Sequence, residues 1–285
     1  MEAPVIPPEL KEELALTAQH PTVEVNGYRT RGIPLELLVE GKKGIWHSVK
    51  GGFTPEPTRP HPIHRDFLSF EVLFNGETNE WLKVVPPESY HTVMLIGRLR
   101  RSVGMIKSSL EIAGLPELIP TVRETRLDLR GEPTYGFISP HLGGSLEYCL
   151  NILTSGRKTK LTPSAAKFIS RIYNIAFAQA VRLYLDYGHW TADPGPGNIL
   201  INTQNGLRVV LIDFANKEQH VINNFNGTPF EDKREGALTQ NIVRLFELFK
   251  QQCNLHNITM TGDAKSELAR FTGFVLAPPI SRGSR

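Results

Sequence analysis

Asp193-Pro-Gly-Pro-Gly-Asn198-Ile-Leu-Ile, followed shortly by Val209-Val-Leu-Ile-Asp213-Phe-Ala215, holds the residues best suited to chemistry. A carboxylate and a carboxamide stand five positions apart, and a second carboxylate ends an apolar run. Phosphoryl transfer from a nucleotide uses such a set. One acid orients the attacking hydroxyl, while an amide oxygen and another acid hold a magnesium ion that bridges the phosphates. Asn205-Gly206 between the two apolar runs is a hairpin signal. The hairpin is expected to project Asn198 and Asp213 from its two ends into one cleft. The plainer alternative is a surface hairpin with solvated acids. An acid such as Asp213 at the end of an apolar strand is costly to bury without a partner, and magnesium is the expected one. A cap on the following turn is the alternative. Hard oxygen donors from Asn198 and Asp213, with phosphates completing the shell, suit that ion.

These stretches resemble the catalytic loop and metal-binding segment of the protein kinase-like superfamily, which includes protein kinases and the aminoglycoside and choline kinases. There an Asp is followed five residues later by Asn, then a short hairpin, then Asp-Phe-Gly; here Ala215 takes the place of the Gly. The resemblance implies that Asp193 accepts the proton of the attacking hydroxyl. Protein kinases carry His two positions before this Asp, whereas this chain has Thr191 there and His189 four positions before. His64-Arg65-Asp66 copies the protein-kinase lead-in, but Glu71 stands where Asn is needed, so it reads as loop surface.

Lys83, in Trp81-Leu-Lys-Val-Val85, resembles the strand lysine that contacts the α- and β-phosphates. The resemblance also implies a Glu partner in the middle of the next helix, yet no acid occurs between Ser89 and Leu110. Glu88, at the expected helix start, is the nearest candidate, and Glu111 lies near the far end. Gly41-Lys-Lys-Gly44 and Lys50-Gly51-Gly52 are both candidates for a phosphate loop, and neither has the family's glycine spacing. The resemblance places the nucleotide base against a connector at about 137–142.

Length and composition allow such a protein. The chain has 285 residues, 40% of them hydrophobic, enough for one large domain or two lobes. Its 32 basic and 29 acidic residues leave a net charge of +3, and the basic residues are scattered apart from Arg98-Leu-Arg-Arg101. Nothing here argues for nucleic acid as a partner. Cys149 and Cys253 lack metal-ligand spacing and read as buried thiols. No run of transmembrane length and no signal segment is evident, so no membrane partner is expected. The expectation is a cytoplasmic enzyme, or one exported without a cleavable signal peptide.

The positioning elements follow in order. A helix is expected from Pro8, then strands at 35–40 and 44–49 joined through Gly41-Lys-Lys-Gly44. A proline-dense surface loop comes next, at 51–62. Strands at 67–74 and 80–85 flank Asn75-Gly76, a hairpin turn. A helix opened by Pro86-Pro-Glu-Ser runs to about Ile112, and strands follow at 118–122 and 135–139. From Gly143 helices dominate: one capped by Thr162, started by Pro163 and stopped by Gly188, and another over about 238–252. The fold expected is α+β and two-lobed, protein kinase-like: residues 1–34 as an extension, 35–142 as a small antiparallel-sheet lobe, and 143–285 as a reduced, mainly helical lobe with its catalytic loop at 189–200. The function implied is phosphotransfer that uses ATP and magnesium, with a protein hydroxyl favoured as acceptor. A small-molecule kinase of the aminoglycoside or choline kinase type, and a pseudokinase acting as a binding module, are the alternatives.

Overall fold

The structure is a computed structural model that describes residues 4–19, 29–50, 71–85, 92–129, 131–154, 160–190, 194–203, 206–212, 215–216 and 235–260. It divides into two compact units: Met1–Leu161 with Pro196–Asp213, and Thr162–Gly195 with Phe214–Arg285. Helices and antiparallel strands occur together, which makes the chain α+β. Among the described residues no helix is long and apolar enough to cross a membrane.

The first unit is built on six strands: β1 (Arg29–Val39), β2 (Lys42–Lys50), β3 (Glu71–Asn75), β4 (Glu80–Val84), β5 (Arg123–Leu129) and β6 (Glu132–Pro140). They are antiparallel neighbours in the order β1-β2-β3-β4-β6-β5, and the order closes on itself. The expected small sheet is therefore a closed barrel. The closure rests on one backbone pairing, Val39 with Leu127. Leu37, Val39, Trp46, Leu73, Leu82, Val84, Leu127, Leu129 and Ile138 fill its inside. These positions alternate along their strands, as the two-residue strand period requires.

Three local expectations change. The β1–β2 turn is tighter than Gly41-Lys-Lys-Gly44: Val39 pairs with Lys42, leaving Glu40 and Gly41 at positive φ of 52° and 77°, the geometry that suits the twist of a two-residue hairpin. The turn after Asn75 is longer, because Asn75 pairs with Glu80 and its side-chain oxygen accepts from the backbone N–H groups of Glu77 and Thr78 at 2.9 and 3.2 Å. Residues 118–122 are not a strand. Pro116–Thr121 forms a 3-10 turn, since Pro120 has no N–H to give a ladder, and strand β5 starts at Arg123.

Helix α2 (Thr92–Ala113) lies on the outer face of the barrel. Leu95, Leu99, Val103, Ile106 and Leu110 pack there with Val85 and Phe137 of the barrel and with Leu200 and Val210 of a later hairpin. That hairpin is β9 (Ile199–Asn202) and β10 (Arg208–Leu211), with the short strand β7 (Gly144–Ser145) on the other side of β9. Helix α3 (Leu146–Leu153) follows β7, capped by Ser145, whose oxygen accepts from the Tyr148 N–H. Helix α1 (Pro8–Gln19) buries Leu10 and Leu14 completely. The Leu14 carbonyl accepts from the Thr203 hydroxyl at 3.2 Å, which ties α1 to the end of β9.

The second unit is centred on α4 (Pro163–Tyr187), as its capping signals required. The Thr162 oxygen accepts from the Ala165 N–H, Pro163 occupies the first turn, and Gly188 ends the helix at φ 68°. Phe177 of α4 meets Phe246 and Phe249 of α5 (Glu235–Leu255) edge to face, at 5.5 and 5.8 Å. Two-residue strands β8 (His189–Trp190) and β11 (Ala215–Asn216) pair antiparallel.

Candidate functional site

Asn198 stands where a 3-10 turn, Pro196–Asn198, feeds β9. Two prolines and two glycines in Pro194-Gly-Pro-Gly prevent this lead-in from becoming a regular helix or central strand. Ile199, Ile201, Val209, Val210 and Leu211 are all but completely buried. That removes the surface-hairpin alternative: these strands form part of the core on both faces.

The register of the hairpin sets the geometry. Leu211 is opposite Ile199, and one step further the Ile212 N–H donates to the Asn198 carbonyl at 3.0 Å. Asn198 and Ile212 are thus a hydrogen-bonded pair at the open end of the hairpin, and Asp213 is the next residue in the chain. Asn198 is half-buried, so its amide is held by a buried ladder and still accessible. Ala215, where the resembled motif has Gly, lies opposite Trp190 in the β8–β11 pair.

Lys83 is on β4, between Val72 of β3 and Phe137 of β6. Leu82 and Val84 point into the barrel, so Lys83 points out, on the side of Phe137 and Val85. Those two residues belong to the cluster that also takes in Leu200 and Val210 of the hairpin. The structure therefore puts Lys83 and Asn198 in one unit, on elements packed against the same helix. Lys83 is half-buried, as an ammonium on a long apolar stem can be.

The remaining sequence candidates, Asp193, Asp213 and Glu88, lie outside the described residues, as do Asp66, Thr191 and Lys50-Gly51-Gly52's glycines. In the described helix α2 the single acid is Glu111, exposed near its end. Gly41 occupies the β1–β2 hairpin turn. Among the described residues no group of three His, Cys, Asp or Glu is arranged to hold a metal ion. Asn198, at the hairpin's open end, and Asp213, which follows Ile212 in the sequence, carry oxygen donors of the chemical type that magnesium takes.

Three residues support this end of the hairpin, of which sequence reading did not single out Glu147 and Ser109. Gly143, at φ 115°, approaches β9 so closely that a Cβ there would lie 2.1 Å from the Ile201 carbonyl oxygen. The Glu147 carboxylate, in the first turn of α3, abuts Gly197, where a Cβ would be 3.2 Å from its Oε2. Ser109 of α2 donates to the Leu211 carbonyl at 2.8 Å and accepts from the Leu211 N–H at 3.2 Å. The signal for Ser109 was a polar residue beside the apolar stripe Ile106, Leu110 and Ala113. Close by, burial pushes the Cys149 thiol of α3 up to about 12, which leaves it uncharged and inert near neutrality. Burial also lowers the pKa of His189, whose ring stacks on Tyr187.

No family model and no curated protein matches the chain. Among solved structures, it is similar to a specific rhoptry antigen kinase domain of Toxoplasma gondii, at 12% identity, covering 93% of this chain and 84% of that one with a TM-score of 0.39. It is also similar to ROP2 of Toxoplasma gondii, a virulence factor with a protein-kinase fold and no enzymatic activity, at 12% identity, 92% and 83% coverage and a TM-score of 0.39.

Proposed function

We propose that this protein is a kinase-like phosphotransferase that uses ATP and magnesium and transfers the γ-phosphoryl group to a hydroxyl of a protein. The observation that supports the proposal is the half-buried, hydrogen-bonded pair of Asn198 with Ile212, which holds the backbone of 198 at one end of a buried hairpin, where Ile212 stands one residue before Asp213 in the sequence. Asn198 and Asp213 would hold magnesium, which when bound supplies charge stabilisation at the phosphates. Lys83 gives a positive charge to the α- and β-phosphates from a barrel strand. Asp193 orients the acceptor hydroxyl and takes its proton as the new oxygen–phosphorus bond forms and the bond to ADP breaks. Glu88 is the proposed partner that steadies Lys83.

A protein acceptor is favoured over a small alcohol because the sequence has no large insertion to form a small-molecule pocket. The proposed site of action is the cytoplasm or, after export, outside the cell. Neither nucleic acid nor a membrane is a partner. Incubation with labelled ATP and magnesium, offering a generic protein substrate and a panel of small alcohols, separates the acceptors. Asp193→Asn should lower turnover about a hundredfold or more, the usual contribution of a positioned base, with nucleotide affinity kept. Asp66→Asn should do little. Equal turnover in Asp193→Asn and the unaltered protein would remove Asp193 from the mechanism.

One observation favours a second reading, a pseudokinase that binds without transferring. Described helix α2 carries no carboxylate in its middle to hold Lys83. Magnesium-dependent nucleotide binding with no transfer to any acceptor would establish that reading.

A further inference from the structure

Among the described residues, strand β10 has β9 on one side and no strand on the other. Because Ile212 directs its N–H at Asn198, the alternation of an antiparallel ladder turns the N–H and carbonyl of Leu211 away from β9. Leu211 is fully buried, so those two groups would lose water and gain nothing, a substantial penalty for each. Both are taken up by one side chain. The Ser109 hydroxyl, itself 2% exposed, donates to the carbonyl and accepts from the N–H. A serine on α2 thus does for Leu211 what a neighbouring strand would do.

We propose that Ser109 is a positioning residue for the magnesium-binding end of the hairpin. It sets the rotation and depth of β10 against α2, and with them the end of the hairpin where Ile212 meets Asn198, the oxygen donor proposed for the ion. This rests on the phosphotransfer reading above. The apolar cluster that Val210 and Leu200 share with Ile106 and Leu110 is non-directional and would allow β10 to slide or roll. The paired hydrogen bonds, at 2.8 and 3.2 Å, do not. The side of the barrel that bears Lys83 packs on the same helix, so Ser109 also ties the hairpin to the element that the lysine strand rests on.

The test compares Ser109→Ala with Ser109→Thr, which keeps a hydroxyl, and with Val103→Ala, which removes apolar packing from the same helix and leaves the Ser109 hydrogen bonds to Leu211 in place. Two readouts are taken on folded protein: amide exchange at Ile212, and the magnesium concentration needed for half-maximal binding of a fluorescent ATP analogue. In Ser109→Ala, which removes both hydrogen bonds to Leu211, the Ile212 amide should exchange about tenfold faster or more and the magnesium midpoint should rise about tenfold or more. Affinity for the analogue without magnesium should be unchanged. Ser109→Thr should restore most of both effects, and Val103→Ala should show neither. An unchanged magnesium midpoint in Ser109→Ala, or an equal rise in Val103→Ala, would overturn the proposal. If the unaltered protein binds no magnesium–nucleotide complex, the phosphotransfer reading fails. Exchange then decides the clamp alone: faster Ile212 exchange in Ser109→Ala only would sustain it, and equal exchange in all variants would overturn it.

Discussion

The two faces of strand β4 do different work. Leu82 and Val84 face a barrel interior made of aliphatic side chains and one Trp, closed by a single backbone pairing between β1 and β5. Lys83 and Val85 face α2, where the apolar cluster is joined by a specific hydrogen-bonded contact between Ser109 and Leu211. The interior is stabilised by area, which has no direction. The outer face adds groups whose geometry counts. Loss of apolar volume should therefore lower stability inside the barrel, while loss of single polar groups outside should alter binding.

The largest effect is expected outside the barrel but in the backbone. Gly143→Ala would force a Cβ against the Ile201 carbonyl at a positive φ, so stability should fall by at least about 4 kcal/mol in chemical unfolding. Next comes the direct contrast. Leu82→Ala should cost about 3 kcal/mol through a cavity in the barrel, yet leave nucleotide affinity of the folded protein intact. Lys83→Met should do the reverse, abolishing turnover with a thermal midpoint close to the unaltered value when nucleotide is absent. Full activity in Lys83→Met would break the comparison.

Two smaller effects sharpen it. Burial lowers the pKa values of His189 and His256 below their ordinary 6.5. As pH falls, the unfolded chain takes up those protons first, so stability is complete above 6.5 and declines below it. A His189→Gln/His256→Gln variant should therefore lose less thermal stability between neutral and mildly acidic pH. Smallest is the clip at the barrel seam. Arg123 meets Glu40 at 2.9 Å and Glu80 at 3.3 Å, but these groups are partly exposed, so Arg123→Ala should cost no more than about 1 kcal/mol. A larger loss would mean that the seam depends on this clip rather than on the interior.

Elements with strong local signals were legible in the sequence. Thr162, Pro163 and Gly188 bound α4 as capping chemistry requires, and Gly206, at φ 85°, sits at the expected β9–β10 turn. What escaped was non-local or locally ambiguous. Strand β5 reads Arg-Glu-Thr-Arg-Leu-Asp-Leu, and its charged outer positions hide an inward row of Thr125, Leu127 and Leu129. Barrel closure depends on Val39 meeting Leu127, far apart in the chain. The places of Asn198 at the start of β9 and of Lys83 on a strand were legible, because Pro-Gly leads into the one and apolar residues flank the other. Ser109 was not, since its role depends on which edge of β10 lacks a strand.

The central claim is that the open end of the β9–β10 hairpin holds magnesium for a nucleotide. The most direct measurement is a magnesium titration of fluorescent ATP-analogue binding to the unaltered protein, Asn198→Ala and Asp213→Ala. Binding should depend on magnesium in the unaltered protein, and each substitution, by removing one oxygen donor, should raise the magnesium requirement about tenfold or more. The same magnesium dependence in all three proteins would contradict the account and leave the hairpin as core structure alone.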